Sequence, residues 1–136
     1  KENILFSGQC RNSVSGMEAV AKALDITELI IIQSHSYHLD TYFTPVLNQE
    51  GHVCALILCM DIVSVKSARD LNEFADKKDI PIIDIYKEVF DPHPDPLSLF
   101  PFRVFGHYNA EGYRLVAEAI GKRLEADGYV SIKSKK

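Results

Sequence analysis

The sequence lacks the features that mark several large classes of protein. It has no apolar run of about 18 residues, the length that a helix needs to cross a bilayer, so it predicts no transmembrane span. It has no excess of positive charge either, because 15 Lys and Arg stand against 19 Asp and Glu and give a net charge of -4. This balance argues against a dedicated nucleic-acid-binding protein. No secretory signal is recognisable, and the sequence leaves the cellular compartment open.

Cysteine is scarce, and a phosphate-binding loop is missing. The three cysteines are Cys10, Cys54 and Cys59, and their spacing does not match a metal site. Their odd number argues against a disulfide framework. Cys54 and Cys59 lie in an apolar run, which predicts buried and inert thiols. No Gly-rich segment follows a strand at the required spacing, so we expect no cofactor.

What is present indicates one α/β domain over residues 1–136. The composition, with 46% hydrophobic and 25% charged residues, is that of an ordinary globular protein. Four short and largely apolar runs predict strands buried on both faces. These runs are Ile4–Phe6, Leu29–Ile32, Val53–Cys59 and Ile82–Ile85.

Helical patterns separate the predicted strands. Ser15 and Glu18 form a capping-box pattern for the first helix, and the second spans Ser67–Lys78. Asn109 is the expected N-cap of a third helix that stops near Gly128. The apolar face predicted for that helix consists of Tyr113, Val116, Ala117, Ile120 and Leu124.

Two longer segments have no clear periodicity. Gln33–Asn48 contains Pro45 and reads as a loop or a short helix, and the four prolines in Asp91–Phe102 predict a stiff exposed loop. Strands that alternate with helices predict a three-layer sandwich, in which helices cover both faces of a parallel sheet of about four to five strands. Ligands of such sheets bind at the carboxyl ends of the strands.

The stretch GHYNAEGYRLVAEAI, which places His107 directly before the third helix, resembles the last block of the SGNH (GDSL-type) hydrolases. The segments Asp79–Tyr86 and Ser98–Phe102 are similar to the strand and loop that lead to that block. The resemblance implies a flavodoxin-like fold and an ester hydrolase or acyltransferase, with His107 as the general base. The implied substrate is a small-molecule or carbohydrate ester, such as an O-acetyl group.

The sequence offers alternatives for the acid of a catalytic triad. The family's acid lies two or three residues before the histidine, but Val104 and Phe105 stand there in this chain. Asp91 or Asp95 could approach His107 instead, or a backbone carbonyl could orient its ring in a dyad.

The nucleophile has two alternative alignments. In one, Gly8-Gln9-Cys10 stands where the family has Gly-Asp-Ser, so that Cys10 attacks the ester. In the other, Asn3–Gly8 is the family's second strand, Gly8 or Gly16 supplies the oxyanion hole, and the nucleophile segment is absent. The second alignment predicts an exposed edge strand, which a homodimer could cover.

The segment after the second predicted strand supplies further candidates. The resemblance matches Asp40 to a family acid and makes His38 a substitute oxyanion donor. Gly8, His38, Asp40 and Asn109 therefore form the candidate oxyanion- or substrate-binding set. Without the resemblance, His35, His38 and Asp40 could instead bind a metal ion. The missing motif residues leave a second interpretation open, namely a catalytically silent or shortened SGNH-like domain that binds a partner.

Overall fold

The computed structural model describes residues 3–9, 12–34 and 38–130, except for the side chain of Thr41. These residues form five strands and three α-helices, joined by short 3₁₀ and π turns. In chain order the elements are β1 (Ile4–Gly8), α1 (Val14–Ala23), β2 (Glu28–Ile32), β3 (Phe43–Leu47), β4 (Val53–Leu58), α2 (Val65–Lys78), β5 (Ile82–Asp84) and α3 (Ala110–Ala126). The main turns are Leu39–Thr41, Met60–Ile62, Tyr86–Phe90, Pro96–Leu99 and Pro101–Arg103.

The strands form two sheets, so the predicted flavodoxin-like sandwich with one parallel sheet of four to five strands is wrong. β1 and β2 pair in parallel as a two-stranded sheet, and the second sheet has the order β3-β4-β5. β3 is antiparallel to β4, with Phe43 opposite Leu58, and β5 is parallel to β4. Because β3 and β5 occupy both edges of β4, no edge of β4 remains for β2.

β3 lies in the segment that the sequence indicated as a loop or a short helix. Pro45 lies within β3, and because polar and aromatic residues surround it, the segment has no apolar run that would predict a strand. A proline lacks the backbone N–H needed in the middle of a sheet but is tolerated in an edge strand. β3 has β4 as its only partner in the sheets formed by the described residues, and this position explains how a proline fits.

Two predicted helix starts are wrong and one is confirmed. Ser13, rather than Ser15, caps α1 by accepting a hydrogen bond from the Gly16 N–H. Ser64 caps α2, whereas Ser67 is buried inside its first turn. Asn109 is the N-cap of α3, as predicted, and its side chain accepts from the Gly112 N–H.

The buried face of α3 differs from the predicted one. Tyr113 and Ala117 are exposed. The residues that pack inward are Leu115, Val116, Ala119, Ile120 and Leu124. The predicted stripe was therefore displaced around the helix axis, since Leu115 and Ala119 replace Tyr113 and Ala117.

Helices α2 and α3 cover opposite faces of the three-stranded sheet. Leu56 and Leu58 of β4 pack with Leu71 of α2, whereas Ala55 lies in a second cluster with Leu99 and the apolar side of α3. Successive residues of a strand point to opposite faces, so these two clusters lie on either side of the sheet. No helix within the described residues is long and apolar enough to span a bilayer.

Candidate functional site

Hydrogen bonds tie the carboxyl ends of four strands together at one end of the molecule. The Gln9 N–H donates to the Ile32 carbonyl at 2.8 Å and links β1 to β2. The Ser64 N–H donates to the Gln33 carbonyl at 2.8 Å and links β2 to the segment after β4. The Met60 N–H donates to Asp84 Oδ1 at 3.2 Å and links β4 to β5. We call Gln9, Gln33, Met60 and Asp84 the carboxyl rim.

The segment that carries His107 approaches this rim through its neighbour Tyr108. The Tyr108 ring packs against Phe90 and Phe100, with ring centroids 5.3 and 5.5 Å away. Burial raises the pKa of Tyr108 to about 12, with a further contribution from the charge of Cys59. Since Phe90 belongs to the Tyr86–Phe90 turn that follows β5, the packing of Tyr108 on Phe90 places Tyr108, and with it the start of α3, near the rim.

The turn between Tyr108 and α3 is held on both sides. The Asn109 N–H donates to the Leu99 carbonyl at 2.9 Å, and Asn109 Nδ2 donates to the Ser98 carbonyl at 2.7 Å. Gly112 is buried against the same segment, because a Cβ atom there would lie 2.6 Å from the Leu99 oxygen. The start of α3, two residues after His107, is therefore fixed to Ser98 and Leu99 by hydrogen bonds and close packing.

The imidazole of His107, by contrast, has no hydrogen-bond partner among the described residues. The residue is exposed, and its ring has no hydrogen bond or ion pair with any residue in the described ranges. A neutral imidazole in this position presents one nitrogen as an acceptor and the other as a donor to an incoming ligand. The arrangement combines a fixed backbone with a side chain that is free to bind or to take a proton.

Neither predicted acid is paired with His107. Asp95 forms a bidentate ion pair with Arg103, with both N···O distances at 2.7 Å. The hydrogen bonds from Arg103 hold the pKa of Asp95 below its ordinary value. Asp91 is exposed at the end of the Tyr86–Phe90 turn. The orienting acid of a triad is thus not found among the described residues.

The remaining predicted site residues are partly brought together. Cys10 and His35 lie outside the described residues. Gly8 is buried at the end of β1, and its carbonyl accepts a hydrogen bond from Asn12 Nδ2 at 3.4 Å. His38 and Asp40 are exposed at the Leu39–Thr41 turn.

That turn also reaches the end of β4. The Cys59 N–H donates to the carbonyl of Tyr42, the residue after the turn, at 3.0 Å. The turn therefore lies near the rim, as the His107 segment does, although His107 makes no hydrogen bond or ion pair with His38 or Asp40 in the described part of the chain. Asn109 uses its side-chain oxygen and nitrogen within the fold, and its role towards a substrate stays a prediction.

Cys59 itself is unsuited to act as a nucleophile. Burial raises the pKa of its thiol from 9.0 to about 11, and the negative charges of Asp84 and Asp61 add to the effect. A thiol with such a pKa is almost entirely protonated near neutral pH. No group of three or more His, Cys, Asp or Glu side chains that could hold a metal ion exists in the described part of the chain.

The sequence reasoning missed the importance of Asp84. This residue is only 7% exposed, and its Oδ1 accepts hydrogen bonds from the backbone N–H groups of Met60 and Tyr86. Its Oδ2 has no hydrogen bond and lies 3.6 Å from Lys87 Nζ. The signal was a single carboxylate inside an apolar strand, where a charge is costly unless backbone donors or a cation compensate it.

Comparisons with protein-family models, with curated proteins and with solved structures found no match to this chain.

Proposed function

We propose that this chain is an ester hydrolase or acyltransferase in which His107 is the general base. The observation that carries the proposal is the free imidazole on a fixed turn, beside the end where four strands terminate. The likeness of residues 106–120 to the histidine block of SGNH hydrolases supports the same role. The proposed substrate is a small ester, and a carbohydrate O-acetyl group is one candidate.

In the proposed reaction His107 removes the proton from an attacking hydroxyl or thiol. The nucleophile then bonds to the ester carbonyl carbon, and the resulting oxyanion requires N–H donors. The imidazolium returns its proton to the leaving alkoxide as the carbon–oxygen bond breaks. Water then releases the acyl group in a hydrolase, and an acceptor hydroxyl takes it in a transferase. Cys10 is the nucleophile in one of the two alignments that the sequence leaves open.

The test is hydrolysis of p-nitrophenyl acetate by the wild type and by His107→Ala. General acid–base catalysis contributes about 10²–10⁴-fold to a rate, so we expect kcat/KM to fall by that factor. His52→Ala is the matched control, because His52 is also exposed but precedes β4 at the opposite end of that strand. Equal activity in all three proteins would contradict a base at position 107.

Two cysteine variants complete the test. Cys10→Ser should alter the rate if Cys10 is the nucleophile, whereas Cys59→Ser should leave it unchanged because the Cys59 thiol stays protonated. An effect of His107→Ala without an effect of Cys10→Ser would retain the base and exclude this nucleophile.

A second candidate function is an interaction module without catalysis. An apolar ridge favours it: Phe102, Val104 and Phe105 are 98%, 66% and 75% exposed and lie two to five residues before His107. Phe102 and Arg103 both have positive φ, at 57° and 59°, and the Arg103 side chain pairs with Asp95. Strained backbone of this kind clusters at ligand clamps and other functional sites.

The two candidates differ in measurable ways. The interaction module predicts no hydrolysis of acetate, butyrate or octanoate esters above buffer. It also predicts binding of the dye ANS that the double variant Phe102→Ser/Phe105→Ser abolishes. Hydrolysis that depends on His107 would exclude the silent module.

A further inference from the structure

Among the described residues, strand β2 is paired with one other strand, β1. The Glu28 N–H donates to the Asn3 carbonyl at 3.2 Å, and the Ile32 carbonyl accepts from the Gln9 N–H. In a parallel pair, alternate residues of a strand direct their N–H and C=O groups to the same neighbour. The even-numbered residues of β2 therefore bond to β1, and Leu29 and Ile31 direct their backbone groups to the other edge.

Gln33 verifies this alternation. It is the next odd-numbered residue, and its backbone bonds on the α2 side, donating to Ser67 Oγ at 2.8 Å and accepting from the Ser64 N–H at 2.8 Å. Within the described residues, the backbone N–H and C=O groups of Leu29 and Ile31 have no hydrogen bond. Such an edge is a ready template for another strand.

A groove of about 450 Å³ runs along this free edge. One wall is Glu28–Ile31 of β2, and the other is the flank of α2. Ser64 covers one end of the edge at Gln33, and at the other end Lys78 Nζ lies 3.6 Å from Glu28 Oε2. The residues of α2 that line the groove are Lys66, Asp70, Glu73, Phe74 and Lys77.

We propose that this groove binds a short extended peptide of a partner protein, which pairs as an added strand with Leu29 and Ile31. Backbone pairing of this kind gives affinity without requiring one particular sequence, and side-chain pockets add specificity. The proposal is independent of the proposed ester hydrolysis, because the groove lies along the strand rather than at the His107 turn.

The geometry argues against β2 of a second copy as the occupant in the antiparallel register centred on Ile30. An antiparallel pair of two β2 strands centred on Ile30 would bring Thr27 of the second copy opposite Gln33. Ser64 already occupies that position, since its N–H bonds to the Gln33 carbonyl. A peptide that pairs over only three residues avoids this overlap.

The charges along α2 define the chemistry of the peptide. Lys66 pairs with Asp70 at 2.6 Å, whereas Lys77 has no ion pair within the described part of the chain. Phe74 also lines the groove but is only 4% exposed, so it adds little surface for a ligand. The fitting peptide therefore places an acidic side chain within reach of Lys77.

The experiment uses the full chain to select heptapeptides from a random display library and then measures the binding of the enriched peptides by titration. N-methylation of the alternate peptide residues that face β2 should weaken binding about fivefold or more for each hydrogen bond lost. N-methylation of the intervening residues should change binding less than about twofold. Lys77→Glu should weaken binding about fivefold for acidic peptides, and Lys22→Glu on α1 is the matched control.

Amide exchange followed by NMR completes the test. In the free protein the Leu29 and Ile31 amides should exchange faster than those of Ile30 and Ile32, and bound peptide should slow them. The proposal is overturned if no peptide is enriched, or if binding is insensitive to the register of N-methylation. Protection of Leu29 and Ile31 in the free monomer would also overturn it, as would a sedimenting dimer that protects them, since a second copy would then be the occupant.

Discussion

The turn at His107 and the edge of β2 differ in the group that each offers to a ligand. The turn offers a side chain, whereas the strand edge offers backbone groups. Two residues after His107, Asn109 is held by Leu99 and Ser98, while the His107 imidazole is exposed and has no partner in the described residues. At β2 the side chains of Ile30 and Ile32 are buried, while the backbone of Leu29 and Ile31 is unpaired there.

The difference indicates two kinds of recognition. A free side chain on a rigid backbone can offer one nitrogen at a defined position, as proton transfer requires. A free backbone edge on a packed strand can offer a row of donors and acceptors, as the pairing of an extended peptide requires. The comparison therefore separates a candidate reaction site from a candidate docking site within one chain.

The largest expected effect comes from removing the support beneath the His107 turn. Leu99 is 1% exposed, and its carbonyl receives the Asn109 N–H. Leu99→Ala should lower the free energy of unfolding by about 2–5 kcal/mol, through lost burial and the cavity left behind. Urea denaturation measures it. Leu24→Ala, at a residue that is 60% exposed, should stay within about 0.5 kcal/mol of the wild type.

The thiol of Cys59, which directly follows β4, tests the packing beside the carboxyl rim. With its pKa raised from 9.0 to about 11, its thiolate fraction at pH 8 should be about a hundredfold below that of an unperturbed thiol. Iodoacetamide labelling, followed by mass spectrometry, should therefore modify Cys59 about a hundredfold more slowly in the folded protein than in urea. Equal rates in both states would refute the burial effect.

The same shift makes a prediction for stability against pH. A raised pKa in the folded state means that folding favours the neutral thiol. The contribution of Cys59 to stability should therefore be intact below pH 9.0 and decline as the pH rises towards about 11. Cys59→Ser should remove this part of the decline, as measured by urea denaturation across that range.

Gly112→Ala tests the rigid backbone with a smaller change. The added Cβ would lie 2.6 Å from the Leu99 oxygen and 3.0 Å from Tyr108 Cβ. We expect a loss of about 1–3 kcal/mol from overpacking. Gly106→Ala is the matched control, because a Cβ there meets nothing within 4 Å. A stability of Gly112→Ala equal to that of the control would show that this turn is not tightly packed.

The smallest expected effect is that of His107→Ala on stability. Because the imidazole makes no contact with a described hydrogen-bond partner, its removal should change the free energy of unfolding by no more than about 0.5 kcal/mol. A much larger loss would mean that His107 serves the fold, and would remove the contrast between its free ring and its fixed backbone.

Local patterns predicted the elements better than their arrangement. The cap at Asn109 was predictable because its side chain bonds within its own first turn. Four strands were located from their apolar runs. β3 was missed because its pairing with β4, rather than its own residues, makes it a strand. The prediction of a flavodoxin-like sheet was wrong for the same reason, since the residues of one strand do not determine which other strand it pairs with.

Prediction of the candidate site divides along similar lines. His107 was singled out from a local pattern, a histidine before a capped helix, together with the resemblance of that stretch to the SGNH block, and its role as a base stays a prediction. The ion pair between Asp95 and Arg103 was not foreseen, and it removes one of the acids considered for His107. Asp84 was visible as a charge within Ile82–Ile85, but its backbone donor Met60 is 24 residues away in the sequence.

The sequence by itself determined which residues are apolar, where the cap of α3 lies and that a histidine precedes it, because each depends on side chains a few positions apart. Only the tertiary structure decided that the strands divide into two sheets and that β2 keeps a free edge. It alone also decided that the His107 turn is fixed by Ser98 and Leu99. Such features depend on contacts between distant segments, whose free energies are set by packing and backbone pairing rather than by local propensity.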